Sequence, residues 1–495
     1  MDKKQVLKKI SLLIMALSLF GCSTTSVTSK SGAETSSTDI SEINFGGSSN
    51  FRVGVLLPLS GDAARYGQGL KNATMLALED AKNPNLIMQY YDTKSTPEGA
   101  RTAITNALNQ KAQMIIGPLK STSLRAISDE AVSRQIPVIA FSTSEEVLQP
   151  NIYTLGLLVD EQVNRSITYA AGKGRSRLAL LLPDNATGIA VARAAVKSAH
   201  QNQIKVTRIG FYQPNTTDFS DILKKMTDFN VRSGRMDRMK KTLQAQAEQG
   251  DENSQRALRR VSTHDTLGDV DFDMVLIPET GAKLKSAISM FGYYDVFSPD
   301  VKFLGTSIWE NTRLNNETTI IGSWYPALSR NHSNYFANKY AFVFGEKPQA
   351  LYSLAYDAVA LANALARQKG GDLTGIITNP DGYVGINGMF RLFENGYNQH
   401  SMDIIEVRKT GDAVIDEAPK RFSDEDYGSK LNDVVLTNDY RAPLIFGKDT
   451  AVAQSLIYGQ PLSYENQPDS YFSGESEQMS IRKSLQKMNI EVPEN

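Results

Sequence analysis

Residues 51–92 read FRVGVLLPLSGDAARYGQGLKNATMLALEDAKNPNLIMQYYD, and they contain a short apolar run, a helical stretch and a second strand-like run. The apolar run covers 51–58, the helical stretch covers 62–81 and the second run covers 86–92. A strand, a helix and a strand in this order predict two parallel strands joined by a right-handed crossover.

The same alternation continues along the chain. Further strand candidates, with helical stretches between most of them, lie at 113–117, 137–141, 178–183, 205–212, 273–278 and 301–305. With 495 residues, of which 41% are hydrophobic, the chain has enough apolar material for two packed cores. We therefore predict an α/β chain with parallel sheets in two lobes.

The composition of the chain excludes several functions. Its 53 basic and 54 acidic residues leave a net charge of −1, so no strong positive field exists to hold nucleic acid. One cysteine and four histidines cannot form a disulfide framework, a Cys/His zinc cluster or an iron–sulfur site. We expect no metal and no cofactor. Because no Gly-x-Ser-x-Gly elbow, Walker loop or His-Glu-x-x-His motif occurs, we also expect no catalytic residues and no enzyme activity.

The N-terminus has the features of an export signal. A start with four lysines is followed by an apolar run that ends in Leu19-Phe20-Gly21-Cys22. This ending resembles a bacterial lipobox, in which the cysteine becomes the acylated first residue of the mature chain. We expect a signal peptide at 1–21, lipidation of Cys22 and a Ser-, Thr- and Gly-rich tether at 22–50, with an uncleaved anchor as the alternative. Ser23 after the cysteine favours, by resemblance to bacterial lipoproteins, sorting to the outer membrane.

The alternation of strands and helices breaks at about 228–269. Two groups of basic residues flank a polar stretch at 244–253, and this pattern predicts a hairpin insertion of two short basic helices. The hairpin is a candidate partner surface, and a solvated helical face is the alternative. The basic residues of this surface are Arg235, Arg238, Lys240, Lys241, Arg256, Arg259 and Arg260.

The C-terminal segment 421–495 is polar and aperiodic, with brief apolar pieces at 443–446 and 451–458. We expect it to be mostly disordered or to lie on the surface.

Three predicted strands end in joints that carry small hydroxyl residues. Ser60 follows the first strand, Ser121 follows the strand at 113–117, and Ser142 and Ser144 follow the strand at 137–141. Free backbone N–H groups at helix starts suit a carboxylate or another anion. The alternative is ordinary N-capping of the helices.

Motifs in the first half of the chain carry a resemblance to a known family. They are Val55-Leu56-Leu57-Pro58-Leu59-Ser60-Gly61, Tyr66-Gly67, Ile116-Gly117-Pro118-Leu119, Ile136-Pro137-Val138-Ile139 and Val159-Asp160-Glu161-Gln162. They resemble type I periplasmic binding proteins of the branched-chain amino-acid class. The resemblance implies two lobes, 51–157 with 320–385 and 158–319 with 386–420, which close on a small ligand. It further implies that Ser121, Ser142 and Ser144 surround an amino-acid carboxylate, with Tyr66 beside them.

The second lobe departs from this pattern. Ala186-Thr187-Gly188 stands where such binders carry a tyrosine before a glycine, and Thr306 and Ser307 stand where they carry an acidic residue for the ammonium group. A zwitterion in a closed cleft needs a countercharge at each end. Glu279 is the one candidate substitute, although its joint can equally be a helix start.

A second set of motifs, in the later part of the chain, is closer to another family. They are Thr266-Leu267-Gly268, Phe272-Asp273, Leu276-Ile277-Pro278, Leu304-Gly305-Thr306, Gly322-Ser323-Trp324-Tyr325, Leu354-Ala355-Tyr356-Asp357-Ala358-Val359-Ala360-Leu361 and Gly385-Ile386-Asn387-Gly388-Met389-Phe390-Arg391. They resemble the penicillin-binding protein activators, which are outer-membrane lipoproteins, and the basic insertion lies where members of that branch carry one.

This resemblance implies a non-catalytic, lipid-anchored protein that faces the periplasm and regulates peptidoglycan synthesis by binding a penicillin-binding protein. The fold it implies is a two-lobed type I periplasmic binding protein fold with parallel sheets and a helical-hairpin insertion. The alternative is a solute-binding lipoprotein that supplies amino acids to an ABC importer. A small ligand in the cleft is left open as a further partner.

Overall fold

A computed structural model of the chain describes residues 50–329, 333–368, 372–422, 442–459 and 475–490. The predicted signal peptide, the predicted lipidation site Cys22 and the predicted tether up to residue 49 lie outside these ranges. Ser49–Asn495 belong to one structural unit, which contains both lobes. Within the described ranges, no helix combines the length and the hydrophobicity that a bilayer crossing requires.

The first lobe contains a sheet of five parallel strands with both faces covered. Val53, Val55 and Leu57 pack into one apolar core and Leu56 packs into another, as expected for a parallel sheet with helices on both sides. The strands are β1 (Phe51–Leu57), β2 (Leu86–Asp92), β3 (Met114–Ile116), β4 (Val138–Ala140) and β5 (Ile152–Thr154). Their order in the sheet is β2-β1-β3-β4-β5. The helices between the first four strands are α1 (Ala64–Ala81), α2 (Pro97–Asn109) and α3 (Ser121–Ser133).

The second lobe contains a larger sheet with a parallel central part. This part consists of β6 (Arg177–Pro183), β7 (Lys205–Tyr212), β8 (Met274–Leu276), β9 (Lys302–Leu304) and β10 (Trp324–Leu328). The helices before β8 that belong to the lobe are α4 (Val159–Gly172), α5 (Ala186–Gln201) and α6 (Ser220–Met226). Every strand candidate of the sequence analysis is confirmed, whereas β5 and β10 were not predicted.

The predicted helical hairpin is confirmed and consists of α7 (Phe229–Glu248) and α8 (Glu252–Val261). Arg232 in the first turn of α7 is buried and attaches the hairpin to the lobe. Its guanidinium donates hydrogen bonds to the carbonyl oxygens of Gly268 and Tyr294, at 2.9 and 3.0 Å. The base of the hairpin is therefore fixed.

After α9 (Gly281–Tyr293) and β10, the chain returns to the first lobe. There it forms α10 (Ser333–Phe344), α11 (Ala350–Arg367), α12 (Leu373–Ile377) and a small antiparallel sheet of β11 (Tyr383–Gly385), β12 (Gly388–Leu392) and β13 (Asn398–His400). Phe390 and Leu392 of β12 share a core with Val53 of β1. The chain then crosses again and adds β14 (Met402–Glu406) and β15 (Ala413–Asp416) antiparallel to the second sheet.

This path differs from the expected lobe boundaries. Trp324–Leu328 falls within 320–385, which we expected in the first lobe, but it pairs with β9 and β14 of the second. Residues 386–400, expected in the second lobe, pack on the first. Apolar patterning identifies a strand but does not tell which of two sheets it joins, since that depends on where the chain crosses between the lobes.

The C-terminal segment also differs from the expectation of disorder or surface packing. Strand β16 (Leu444–Phe446) pairs in parallel with β7 and completes the sheet order β15-β14-β10-β9-β8-β6-β7-β16. Helix α13 (Thr450–Tyr458) buries Ala453 in the core of the second lobe, and α14 (Glu475–Lys487) packs on the hairpin. The apolar pieces at 443–446 and 451–458 correspond to this edge strand and to α13. They are short because each element buries only part of its surface.

Candidate functional site

The three joints predicted to hold an anion lie side by side, because β1, β3 and β4 are neighbours in a parallel sheet. Two of their serines, Ser60 and Ser142, are nevertheless bonded within the lobe. The backbone N–H and the hydroxyl of Ser60 donate to the carboxylate of Asp92, at 3.1 and 2.6 Å. The hydroxyl of Ser142 accepts from the backbone N–H of Ser144 at 3.1 Å. Ser121 is the first residue of α3.

A cavity of about 340 Å³ lies between the two lobes. Phe141 and Leu354 of the first lobe and Val191, Pro278 and Ile308 of the second lobe supply much of its wall. Of its 16 lining residues, five are polar and none is charged. The candidate cleft is therefore apolar.

A wider cavity of about 750 Å³ shares Leu157, Ile308 and Leu351 with the first. Tyr66 lines this wider cavity, as does Glu310. The other predicted cleft residues line neither cavity; they are Ser60, Ser121, Ser142, Ser144 and Glu279. In the described part of the chain, no group of three or more His, Cys, Asp or Glu residues could hold a metal ion.

The polar residues of the second lobe that face the smaller cavity are Thr187, Thr306, Ser307 and Gln162. The first three stand at the positions where the sequence departs from amino-acid binders. Oε1 of Gln162 accepts from the backbone N–H and from the hydroxyl of Ser307, at 2.9 and 2.8 Å. Its Nε2 donates to the carbonyl oxygen of Leu157 at 3.2 Å. The side-chain amide of Gln162 is thus already engaged by the protein.

Glu279, the candidate countercharge for an ammonium group, is also engaged. Its Oε1 accepts from the Tyr212 hydroxyl at 2.9 Å. Burial and the neighbouring Glu279 carboxylate both raise the pKa of Tyr212, so its hydroxyl keeps the proton that it donates. The Glu279 carboxylate is therefore bonded to a tyrosine of its own lobe.

Residues 50–412 match the family model of the periplasmic binding proteins. The chain is a member of the periplasmic binding protein family. The crystal structure of a protein described as a branched-chain amino acid ABC transporter, from Rhodospirillum rubrum, superposes with a TM-score of 0.59 at 15% identity. The alignment covers 74% of this chain and 100% of the other, and it confirms the predicted fold class.

Two curated relatives match shorter stretches. An uncharacterized protein from Rickettsia prowazekii is 23% identical over 163 residues, which is 33% of this chain and 43% of the relative. The penicillin-binding protein activator LpoA from Haemophilus ducreyi is 35% identical over 96 residues, which is 19% of this chain and 15% of the relative. Each match therefore spans less than half the length of the relative.

Periplasmic binding proteins have a hinge where the chain crosses between lobes, and β13 lies beside one such crossing here. The amide nitrogen of Asn398 donates to the carbonyl oxygens of Thr154 and Gly156, each at 2.8 Å. The fully buried Glu161 accepts a hydrogen bond from the backbone N–H of His400. Burial raises the pKa of Glu161 well above its ordinary value and lowers that of His400 to about 4, so the imidazole is neutral at pH 7.

Two acidic groups, Glu145 and Asp160, also lie close together where the lobes meet. Glu145 follows β4 in the first lobe, and Asp160 lies in the first turn of α4 in the second. Burial, followed by the charge of Asp160, raises the pKa of Glu145 to about 7. Lys197 lies 3.7 Å from the Asp160 carboxylate. The sequence analysis missed this pair, because it named Asp160 within a motif but no pattern in the sequence links that residue to Glu145, on the other side of β5.

The hairpin presents its basic residues in two ways. Arg238, Lys241 and Arg259 are exposed and form no ion pair within the described ranges. The remaining four are half-buried or bonded: Lys240 is half-buried, Arg235 pairs with Glu477, Arg256 donates to Asn253, and Arg260 donates to the carbonyl of Asn489. The exposed group, Arg238, Lys241 and Arg259, is called the cationic face below.

Helix α14 packs against the hairpin. Met236, Val261 and Leu267 of the hairpin region form an apolar core with Ile481 and Leu485 of α14. The hydroxyls of Ser480 and Ser484 accept from the backbone N–H groups of Asp269 and Gly268, at 2.7 and 3.3 Å. The cationic face is therefore mounted on a packed three-helix unit.

Proposed function

We propose that this periplasmic binding protein is a non-catalytic, outer-membrane lipoprotein that binds and activates a penicillin-binding protein. The observation that carries the proposal is the cationic face. An insertion that carries three exposed cations without an ion-pair partner among the described residues, on a packed helical unit, has the properties of a docking surface, because electrostatic complementarity steers a partner and fixes its orientation. The similarity to LpoA supports the choice of partner.

The mechanism that we propose is allosteric. Docking stabilises the conformation of the synthase that polymerises or cross-links glycan strands. The size of the effect is limited by the difference in affinity for the active and inactive conformations. Lipidation of Cys22 and the tether would keep the module near its target at high effective concentration.

The experiment measures the affinity of the protein for each purified penicillin-binding protein from the same envelope. Reversing the cationic face with Arg238→Glu, Lys241→Glu and Arg259→Glu should weaken binding by about tenfold or more at low salt. The matched control reverses three exposed cations elsewhere, Lys111, Lys205 and Lys409, with the same change in net charge. Equal affinities of the two triple variants for the synthase would show that the hairpin is not part of the interface.

A solute-binding protein that supplies amino acids to an importer is the second candidate. The cavity between the lobes and the fold shared with transport proteins favour it. Its test is a calorimetric titration of the purified protein with amino acids. Micromolar binding supports transport, and no binding supports regulation.

A further inference from the structure

We infer that the 340 Å³ cavity between the lobes is a binding site for an uncharged, largely apolar small molecule. This inference goes beyond the proposed function and does not depend on it. It also differs from the amino-acid site that the serines predicted, since those serines lie outside the cavity wall.

The wall selects the chemistry of the ligand. Phe141 and Leu354 from one lobe face Val191 and Ile308 from the other, so an apolar molecule would contact both lobes at once. Burial of its apolar surface against both lobes favours binding of such a molecule. The volume lies at the lower end of the range for small-molecule sites, about 300–1,000 Å³.

The polar atoms of the wall limit the ligand to few hydrogen bonds. The side-chain oxygen of Gln162 and the hydroxyl of Ser307 bond to each other, so both already have a hydrogen-bond partner within the protein. Thr143 and Thr187 line the cavity and are exposed, and their hydroxyls make no hydrogen bond with the described residues. They suit one hydroxyl, ether or carbonyl group of a ligand.

A charged ligand is disfavoured because no lining residue supplies a countercharge. Moving an ion out of water without such a partner is strongly unfavourable. Three helices, α4, α5 and α11, begin at this wall, and a helix start favours an anion by less than a full charge. Asn185 caps α5 by accepting from the N–H of Gly188 at 3.0 Å, and Asp160 and Glu161 occupy the first turn of α4.

The test uses four probes that share one phenyl group: 2-phenylethanol, phenethylamine, phenylacetate and L-phenylalanine. Binding to the purified protein is measured by calorimetry. The neutral alcohol should bind about tenfold or more tightly than each charged probe. Tighter binding of phenylalanine, phenylacetate or phenethylamine, or no binding of any probe, overturns the inference.

Two variants locate the site. Leu351→Ala removes apolar area from the wall and should weaken the binding of 2-phenylethanol by about fivefold. Leu456→Ala, on α13, should leave the affinity for 2-phenylethanol unchanged. Thr187→Asp places a carboxylate at an exposed wall position and should give phenethylamine binding, while Thr410→Asp, in an exposed turn, should not. Loss of alcohol binding in Leu456→Ala, or no gain of amine binding in a folded Thr187→Asp protein, contradicts the site. The affinity for synthases is measured separately, so the two proposals can fail independently.

Discussion

The side-chain oxygen of Gln162 accepts two hydrogen bonds from Ser307, one from its backbone N–H at 2.9 Å and one from its hydroxyl at 2.8 Å. Ser307 stands where the sequence resemblance leads us to expect an acidic residue that holds an ammonium group. In this chain the two polar residues satisfy each other. These two polar side chains of the second half of the cleft are therefore bonded to each other.

Replacing Gln162 by Ala should destabilise the protein by about 1–3 kcal/mol, because the partly buried N–H of Ser307 loses its acceptor. The measurement is urea-induced unfolding. Gln201→Ala, at an exposed helix end, serves as the control and should change the unfolding free energy by less than about 0.5 kcal/mol. Equal effects of the two substitutions would show that the pair with Ser307 carries no stability.

The second lobe depends on a buried ion pair between Arg208 and Asp271. Two guanidinium nitrogens lie 2.6 and 2.8 Å from the two carboxylate oxygens, and both side chains are 1% exposed. Arg208→Met leaves the carboxylate without its partner and should cost about 3–5 kcal/mol of unfolding free energy. Arg101→Met breaks the exposed pair with Glu98 and should cost no more than about 1 kcal/mol. The prediction is wrong if the two losses are similar.

Stability should depend on pH through Glu145. Its pKa is raised to about 7 in the folded protein, against an ordinary value of 4.5, so the folded state binds a proton more tightly than the unfolded state. The stability it contributes is complete below pH 4.5 and is lost as the pH rises through 7. Other groups titrate in the same window, including Asp357 with a raised pKa and His400 with a lowered one, so the variant is compared with wild type.

The difference in unfolding free energy between wild type and Glu145→Gln should therefore fall between pH 5 and pH 7.5. Glu146→Gln is the control, because the neighbouring Glu146 is exposed and pairs with Arg125 at the surface. A constant difference for Glu145→Gln across this range would contradict the raised pKa.

Helix α14 should be required for an ordered hairpin. Removing residues 475–495 exposes Met236 and Val261 and deletes the partner of Arg235. Hydrogen exchange should then become faster in α7 and α8, while β1 and β6 keep their protection. Unchanged exchange in the hairpin would show that it folds without α14.

The sequence was sufficient to predict the parallel sheets, because apolar runs such as Val53–Leu57 are buried on both faces and are therefore continuous. It was also sufficient for the hairpin, whose polar helices interrupt the alternation. It could not place β10 or β13, since sheet membership depends on chain crossings.

The cleft was harder to predict than the fold. Thr187, Thr306 and Ser307 lie in its wall, as the resemblance implies, but Ser60 and Ser142 are bonded inside the first lobe. A hydroxyl at a strand end has the same sequence pattern whether it binds a ligand or the protein itself. The apolar wall residue Leu354 belongs to α11, and an apolar helix residue has the same sequence pattern whether it packs in a core or lines a cavity.

The rate of peptidoglycan synthesis by a purified penicillin-binding protein from the same organism, with and without this protein, tests the central claim most directly. We predict that wild-type protein raises the rate of polymerisation or cross-linking by at least one synthase, and that reversal of the cationic face abolishes the increase. If no synthase responds while the protein binds free amino acids with micromolar affinity, the regulatory account is contradicted.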